Sequence, residues 1–461
     1  MRDRAIQVVA DIRTVVKEDW KQHVLRLALK LAHDEQDKLR ESAIKLLNEV
    51  SGDMGQLFNE GFVVNEFRAL GMDEQTSVRC TLAQNLNNVS KNISTDVFSA
   101  QLFPLYDQLT QDKEWKVRKA CADVVAQIAQ VTPMERDAQS LQRLYYRFLL
   151  DPSSKIVRGT AFQNIGPFIA TLKDNTSIDQ RITEFFVNTT MKTNNKDVCY
   201  YASFNFPAFI WVTGPDEWHK FRALYNKLTS VSDVQTQRTL SCSLHEIAKI
   251  LGPELTDSDL LGIADRFLRH NNPDVRLGIM KNLHVLLAEV PESKRQHYIQ
   301  HITQTFNEAG ADWRTKEMLA KNLGKFATLF DQQIVYSEFL PMFFKFCEDR
   351  IATVSNAAAT ALAPILNKFD QDQDKQRSII KIVKNNFRDG EKATYKRRQL
   401  YVLMCEEVMN QAKDLFDQYF KHDFLSLCGD KVVNVRLTLA RALKNHFRKI
   451  NSTFMHDKLV N

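Results

Sequence analysis

Few residues of this 461-residue chain are spaced for catalysis. His245-Glu246-Ile-Ala-Lys249 opens like a zinc-protease helix, in which two histidines one turn apart hold the metal and the glutamate acts as base. Lys249 stands where the second histidine is needed, so the segment reads as a helix with one partly buried histidine. Asp370-Gln-Asp372-Gln-Asp374-Lys375 starts like a calcium loop but lacks the glycine at its sixth position and the glutamate at its twelfth, and reads as a turn between helices. The sequence has no P-loop, no dinucleotide-binding glycine motif and no nucleophile elbow. Its eleven histidines are dispersed, and its seven cysteines include no CxxC pair. Cys121, Cys242 and Cys405 fall in apolar helical patterns, where a reduced, buried thiol is expected. No catalytic residue, metal ligand or cofactor site is assigned.

What remains is recognition chemistry, and it concentrates in three turns. Asp312-Trp313-Arg314-Thr-Lys316 sets a large aromatic beside two cations. Lys392-Ala-Thr-Tyr395-Lys396-Arg397-Arg398 is the most basic stretch, and Asp430-Lys431-Val-Val-Asn434-Val-Arg436 continues it. Trp, Tyr and Arg are the favoured anchors of protein interfaces. The net charge of +6 is uneven: Lys375 to Asn461 holds 18 Lys/Arg against 9 Asp/Glu, a net of +9, while the first 374 residues net −3. The aromatics recur at helical spacing rather than as stacking platforms, which disfavours nucleic acid as the partner.

These turns must be positioned by helices. Length alone suggests about three domains, but only 14 Gly and 11 Pro are present, too few for a sheet-rich chain. With 44% hydrophobic and 26% charged residues, the composition predicts long helices joined by short turns. No apolar run approaches the roughly 20 residues that span a bilayer, and Met1-Arg-Asp-Arg-Ala-Ile has no signal-peptide core. A soluble protein of the cytoplasm, also reaching the nucleus, is expected.

A repeat of about 40 residues organises the whole chain. Its marker is an Asp in a turn, then a β-branched residue and Arg, then apolar residues three, four and seven positions on. Aligned on the Arg, the slots are Arg40, Arg79, Arg118, Arg158, Val198, Gln237, Arg276, Lys316, Ser355, Arg398 and Arg436. Pro167, Pro207 and Pro364 each follow a slot by nine residues. Each unit reads as helix, turn, helix, with the marker Asp as N-cap of the second helix and, in several units, a kinking proline such as Pro104 or Pro341 in the first. This is the signature of HEAT-type repeats. The expected fold is an all-α solenoid of about eleven repeats, preceded by a half-repeat at Arg2, Ala5, Ile6 and Val9. The Arg and Asp side chains are expected to form a ladder between adjacent turns, interrupted at Val198, Gln237 and Ser355.

Four segments go beyond a generic repeat. They are Ala161-Phe-Gln-Asn-Ile-Gly-Pro-Phe-Ile169, Tyr200-Tyr-Ala-Ser-Phe-Asn-Phe-Pro-Ala208, Leu240-Ser-Cys-Ser-Leu-His-Glu-Ile-Ala-Lys-Ile-Leu-Gly252 and Asp274-Val-Arg-Leu-Gly-Ile-Met-Lys-Asn-Leu-His284. In this order they resemble the family of regulatory subunit 1 of protein phosphatase 4, which is related to the scaffold A subunit of protein phosphatase 2A. The resemblance covers residues 78–447. It implies a non-catalytic scaffold that binds the catalytic subunit of a type 4 or type 2A serine/threonine phosphatase through the turns of its C-terminal repeats, with room for a further regulatory subunit. Catalytic subunits of this group have acidic surfaces, so charge and resemblance point to one face. Trp313, Arg314, Lys316, Tyr395, Arg397, Asn434 and Arg436 are expected to line it. Larger members of the family carry a long acidic insertion where this chain has only Thr171 to Lys196. The expected organisation is N-terminal repeats over 1–170, a degenerate repeat and hinge over 171–200, and C-terminal repeats over 201–461. The competing readings are the scaffold A subunit of protein phosphatase 2A, an importin-β-type transport receptor, which uses an acidic face, and association with nucleic acid.

Overall fold

The computed structural model describes residues 20–174, 176–391 and 393–446. Among these the chain forms helices and no strand, in eleven helix–turn–helix pairs. The half-repeat expected at Arg2 to Val9 lies outside the described residues, as does Lys392. No helix among them is long and apolar enough to cross a membrane. The second helices of the pairs are α1 (Asp37–Met54), α2 (Thr76–Lys91), α3 (Trp115–Val131), α4 (Lys155–Gln163), α5 (Lys196–Thr213), α6 (Val234–Leu255, interrupted at Gly252), α7 (Pro273–Met280), α8 (Trp313–Leu329), α9 (Ala352–Ala359), α10 (Tyr395–Gln411) and α11 (Val433–His446). The chain divides into two compact units, residues 1–240 and 241–461, each an α-solenoid of HEAT-type pairs.

The repeat marker maps onto these helices at a constant place. In ten of the eleven, the slot residue is the fourth residue of the second helix. The apolar residues behind it then face one stripe: Cys121, Ala122 and Val125 behind Arg118 are fully buried, as are Ala43, Ile44 and Leu47 behind Arg40. In the last pair Leu439 and Leu443 are buried but Ala440 is exposed. The exception in register is the fifth pair. Asn195 caps α5, accepting from the N–H groups of Asp197 and Val198, and the slot four residues after the cap is Cys199, not Val198. Asn272 and Asp312 stand in the same relation to Arg276 and Lys316.

The marker aspartates do not generally cap. Asp112 and Asp430 lie two residues before the N-cap and accept from the N–H groups of Glu114 and Val432. Their remaining carboxylate valence goes to the preceding repeat, forming the ladder. Its rungs are Arg40–Asp73 (2.6 Å), Arg79–Asp112 (2.6 Å), Arg118–Asp151 (2.5 Å), Lys316–Asp349 (2.9 Å) and Arg398–Asp430 (2.5 Å). Each rung arginine also donates from Nη1 to a carbonyl of its own turn, as Arg118 does to Asp112 at 2.7 Å. One guanidinium therefore closes its own turn and binds the next. Burial pushes the carboxyls of Asp73, Asp112 and Asp151 up, but the guanidinium and the turn N–H groups outweigh it and hold them below the usual range.

The ladder fails one junction earlier than the slots suggest. Arg158 reaches the carbonyl of Asp151, but the turn of the fifth repeat, Lys192-Thr-Asn, offers no carboxylate. Lys227 Nζ instead binds the carbonyls of Thr190, Met191 and Thr193. Gln237 keeps only the inner half of the arginine's role, donating to Val231 O at 2.6 Å.

Proline explains only part of the bending. Pro104 and Pro341 each begin a fresh helical segment straight after a wide π turn, Phe98–Leu102 and Val335–Phe339. There the missing N–H costs little. The same π turn occurs at Asn59–Val63, Thr256–Leu260 and Phe416–Phe420 without a following proline. Two of the three recurring prolines of the second helices break them, α4 stopping at Gln163 ahead of Pro167 and α9 at Ala359 ahead of Pro364, whereas Pro207 lies inside the continuous α5. Asn205 repairs the first break, as its Oδ1 accepts from Gly166 N–H and its Nδ2 donates to the carbonyls of Phe162 and Gln163. The segments Ala161–Ile169 and Tyr200–Ala208 thus interlock through one amide. Gly278 of α7 lies against Ser241 in the same manner, a Cβ there coming within 2.2 Å of the hydroxyl oxygen.

Candidate protein-binding surface

The turns singled out by composition sit at the N-terminal ends of α8, α10 and α11, where unpaired N–H groups and the helix dipole favour anions. Asp312 caps α8, and the Arg314 guanidinium stacks over the Trp313 ring at 4.7 Å, so the half-buried Trp313 presents a cation rather than a bare aromatic face. Lys316 is committed inward, to the rung with Asp349. Burial raises the Asp349 carboxyl, but the Ile351 N–H and Lys316 bring it net below its ordinary value.

Where the slot holds Ser355, no long side chain fills the space between repeats. A concavity of about 760 Å³ opens there. Tyr395, Arg397 and Asn434 line it, together with Arg350, Lys396 and Arg441. Arg397 bridges the missing rung in reverse: its Nη2 lies 2.8 Å from Glu348 of the preceding repeat, its Nη1 reaches Asn386 O, and its guanidinium lies over Phe387. The structure therefore brings together Tyr395, Arg397 and Asn434. Trp313, Arg314, Lys316 and Arg436 lie outside the concavity, and Arg436, exposed, donates to Asp430 O.

The carboxylates that line the concavity are all engaged: Glu348 by Arg397, Asp349 by Lys316, Glu406 by His446 at 2.8 Å. Arg350, Lys396 and Arg441 are exposed and have no ion-pair partner among the described residues. The basic surplus of the sequence is thus partly spent inside the fold, by Lys384 and Arg388 on Asp423 and by Arg398 on Asp430. Within the concavity the unpaired positive charge rests on Arg350, Lys396 and Arg441. Arg350 sits in a marker turn that the repeat spacing already locates; Arg441, in the third turn of α11, carries no such signal.

The other chemical candidates resolve as follows. His245 is mostly buried and pairs with the neighbouring Glu246. Asp372 caps the helix Gln373–Lys384. Cys121 and Cys405 are buried, and burial raises both thiols. Cys242, in contrast to the expectation, is exposed, because it falls beside the buried stripe that Leu240, Leu244 and Ile247 occupy.

Comparison with known proteins agrees with the repeat fold. Residues 202–306 match the family described as the protein phosphatase 4 regulatory subunit 1 middle domain, and residues 102–132 match the HEAT repeat. Over 259 residues, 55% of this chain, the sequence is 27% identical to serine/threonine-protein phosphatase 4 regulatory subunit 1 of Homo sapiens, covering 27% of that protein. It is 22% identical to regulatory subunit 4 of Mus musculus over 92% of this chain and 48% of that protein. The chain thus spans about a quarter to a half of these relatives. In fold it is similar to importin β (TM-score 0.68, 11% identity, 97% of this chain and 62% of that one) and to Kap95p (TM-score 0.62, 11% identity, 97% and 61%). The chain is a HEAT-repeat protein similar in sequence to the regulatory subunits of protein phosphatase 4.

Proposed function

We propose that this chain is a non-catalytic regulatory scaffold that binds the catalytic subunit of a type 4 serine/threonine phosphatase. The observation that carries the reading is the match of residues 202–306 to the middle domain of regulatory subunit 1, within which the segment ending at Gly252 packs on that of Gly278 through Ser241. The proposed contact is the concavity of the C-terminal repeats. Arg350, Lys396 and Arg441 attract an acidic patch of the partner, and Tyr395 supplies a rigid anchor. The ladder rungs on either side, Lys316–Asp349 and Arg398–Asp430, hold the turns in register. Bond cleavage belongs to the partner; this chain's residues position it and set which surfaces stay exposed.

Affinity purification of the chain from cells, followed by identification of the bound chains, tests the function. A phosphatase catalytic subunit in near-stoichiometric amount supports it. Its absence from repeated preparations of folded chain overturns it.

A further inference from the structure

Asp265, His297 and His301 converge in the second unit, although 32 residues separate the aspartate from the first histidine in sequence. Asp265 comes from the first helix of the seventh repeat, Leu261–Leu268. His297 lies in the 3-10 turn Gln296–Tyr298, and His301 one turn later in Ile299–Glu308, both in the first helix of the eighth repeat. One donor atom from each residue lies within 4.8 Å of the other two. The two imidazole rings are 5.9 Å apart, and His297 Nε2 is 3.3 Å from Asp265 Oδ1.

Ordinary packing does not account for the group. His301 is only 7% exposed, and its Nε2 is buried without a hydrogen-bond partner. Asp265 Oδ1 is likewise buried and makes no bond of hydrogen-bond geometry. Buried polar atoms in native folds are nearly always satisfied, so two orphans within one cluster point to a partner that they share. A proton can satisfy one of these atoms. A divalent metal satisfies both together with His297.

We propose that Asp265, His297 and His301 form a binding site for a divalent transition metal of the zinc class. Two imidazoles and one carboxylate are the borderline donor set that zinc takes, and calcium or magnesium would demand more oxygen ligands. Tetrahedral zinc needs donors about 3.3 Å apart, given metal–ligand distances of about 2.0–2.1 Å. His297 Nε2 and Asp265 Oδ1 already stand at that spacing, and the remaining separations, none above 4.8 Å, need to close by about 1.5 Å at most through side-chain rotation. The partial exposure of His297 and Asp265 leaves a fourth position open to water. Arg269 faces His301 and opposes the cation, and the Asp265 carboxylate offsets it. The bound ion cross-links the first helices of successive repeats, a junction at which the ladder offers only the long Arg276–Glu308 pair of 3.8 Å.

The test is zinc binding by the full chain after chelator treatment, read by competition with a chromophoric chelator and by the thermal transition with and without ZnCl2. The expected result is one zinc per chain and an upward shift of the transition. Loss of an outer-shell partner alone costs metal sites about 10–100-fold, so removing a ligand should weaken binding by about 100-fold or more. His297→Ala, at a half-exposed position, and the isosteric Asp265→Asn should each do this and abolish the thermal shift, with the metal-free transition unchanged. His422→Ala, at an exposed histidine elsewhere, should bind as the parent does. Absence of stoichiometric zinc, or equal binding by His297→Ala and Asp265→Asn, overturns the site.

Discussion

Asn205 Oδ1 accepts a hydrogen bond from Gly166 N–H at 2.9 Å, across 39 residues of sequence and one repeat boundary. The proline at position 167 leaves the Gln163 carbonyl without its helical donor. Asn205 Nδ2 supplies one at 3.1 Å and also bonds Phe162 O and Tyr201 O. The close approach requires glycine at 166, since a Cβ there would come within 2.4 Å of Asn205 Oδ1 and 3.1 Å of its backbone.

Asn205→Leu should therefore strand at least two buried backbone groups. At about 1–3 kcal/mol for each unsatisfied group, the loss of stability for two such groups is about 2–6 kcal/mol. Denaturant unfolding measures it, and a change below about 0.5 kcal/mol would show that the amide is not a structural plug. Gly166→Ala should cost about 1–3 kcal/mol by overpacking.

The Arg118–Asp151 rung is buried on both sides, with Arg118 8% and Asp151 3% exposed. Arg118→Met leaves that carboxylate without its charge partner and should cost about 3–5 kcal/mol. Truncating the exposed pair of Lys413 and Asp417 should cost about 0–1 kcal/mol. Adding Asp151→Asn to Arg118→Met removes the unpaired charge, keeps an acceptor for the Ser153 and Ser154 N–H groups and should recover much of the loss, and a double-mutant cycle reads the coupling.

Acid should destabilise the fold in two windows. Burial holds the His284 imidazole down to about 4. The unfolded chain, with an ordinary histidine value near 6.5, then binds the extra proton first, so stability falls as pH drops from about 6.5 toward 4. His284→Phe should flatten that part of the curve. The rung aspartates titrate below their ordinary value of about 3.9, so their contribution is intact above it and is lost as pH falls through their lower folded values. Thermal unfolding of parent and His284→Phe between pH 7 and pH 3 separates the two windows; identical slopes above pH 4 would refute the histidine assignment.

The repeat was legible because its cause is local. A slot four residues past a helix cap and an apolar stripe behind it repeat wherever a helix pair must bury one face, and ten of eleven slots keep that register. The fifth slot is Cys199, one residue beyond Val198, because the Asn195 cap sets the start of α5. The pairings were legible only where both partners repeat. Arg158 has the right residue type but no acceptor in the next turn, and Arg397 finds Glu348 across 49 residues because Ser355 leaves the space. His297 and His301 stand one turn apart, a visible signal, but their third member comes from the preceding repeat. The binding surface was legible as a charge excess, yet internal pairs absorb much of it, and Arg441 emerges only from the fold.

The direct test of the scaffold reading is the affinity of the purified chain for a purified type 4 phosphatase catalytic subunit. It is measured at two salt concentrations for the parent and for Lys396→Glu with Arg441→Glu. Neither residue takes part in a rung or an internal ion pair among the described residues, so the melting transition should stay within about 2 °C of the parent. A one-to-one complex is expected, weakened about tenfold or more by the double reversal and by added salt. No complex with the folded parent chain would contradict the function, and equal affinity for parent and variant would contradict the surface.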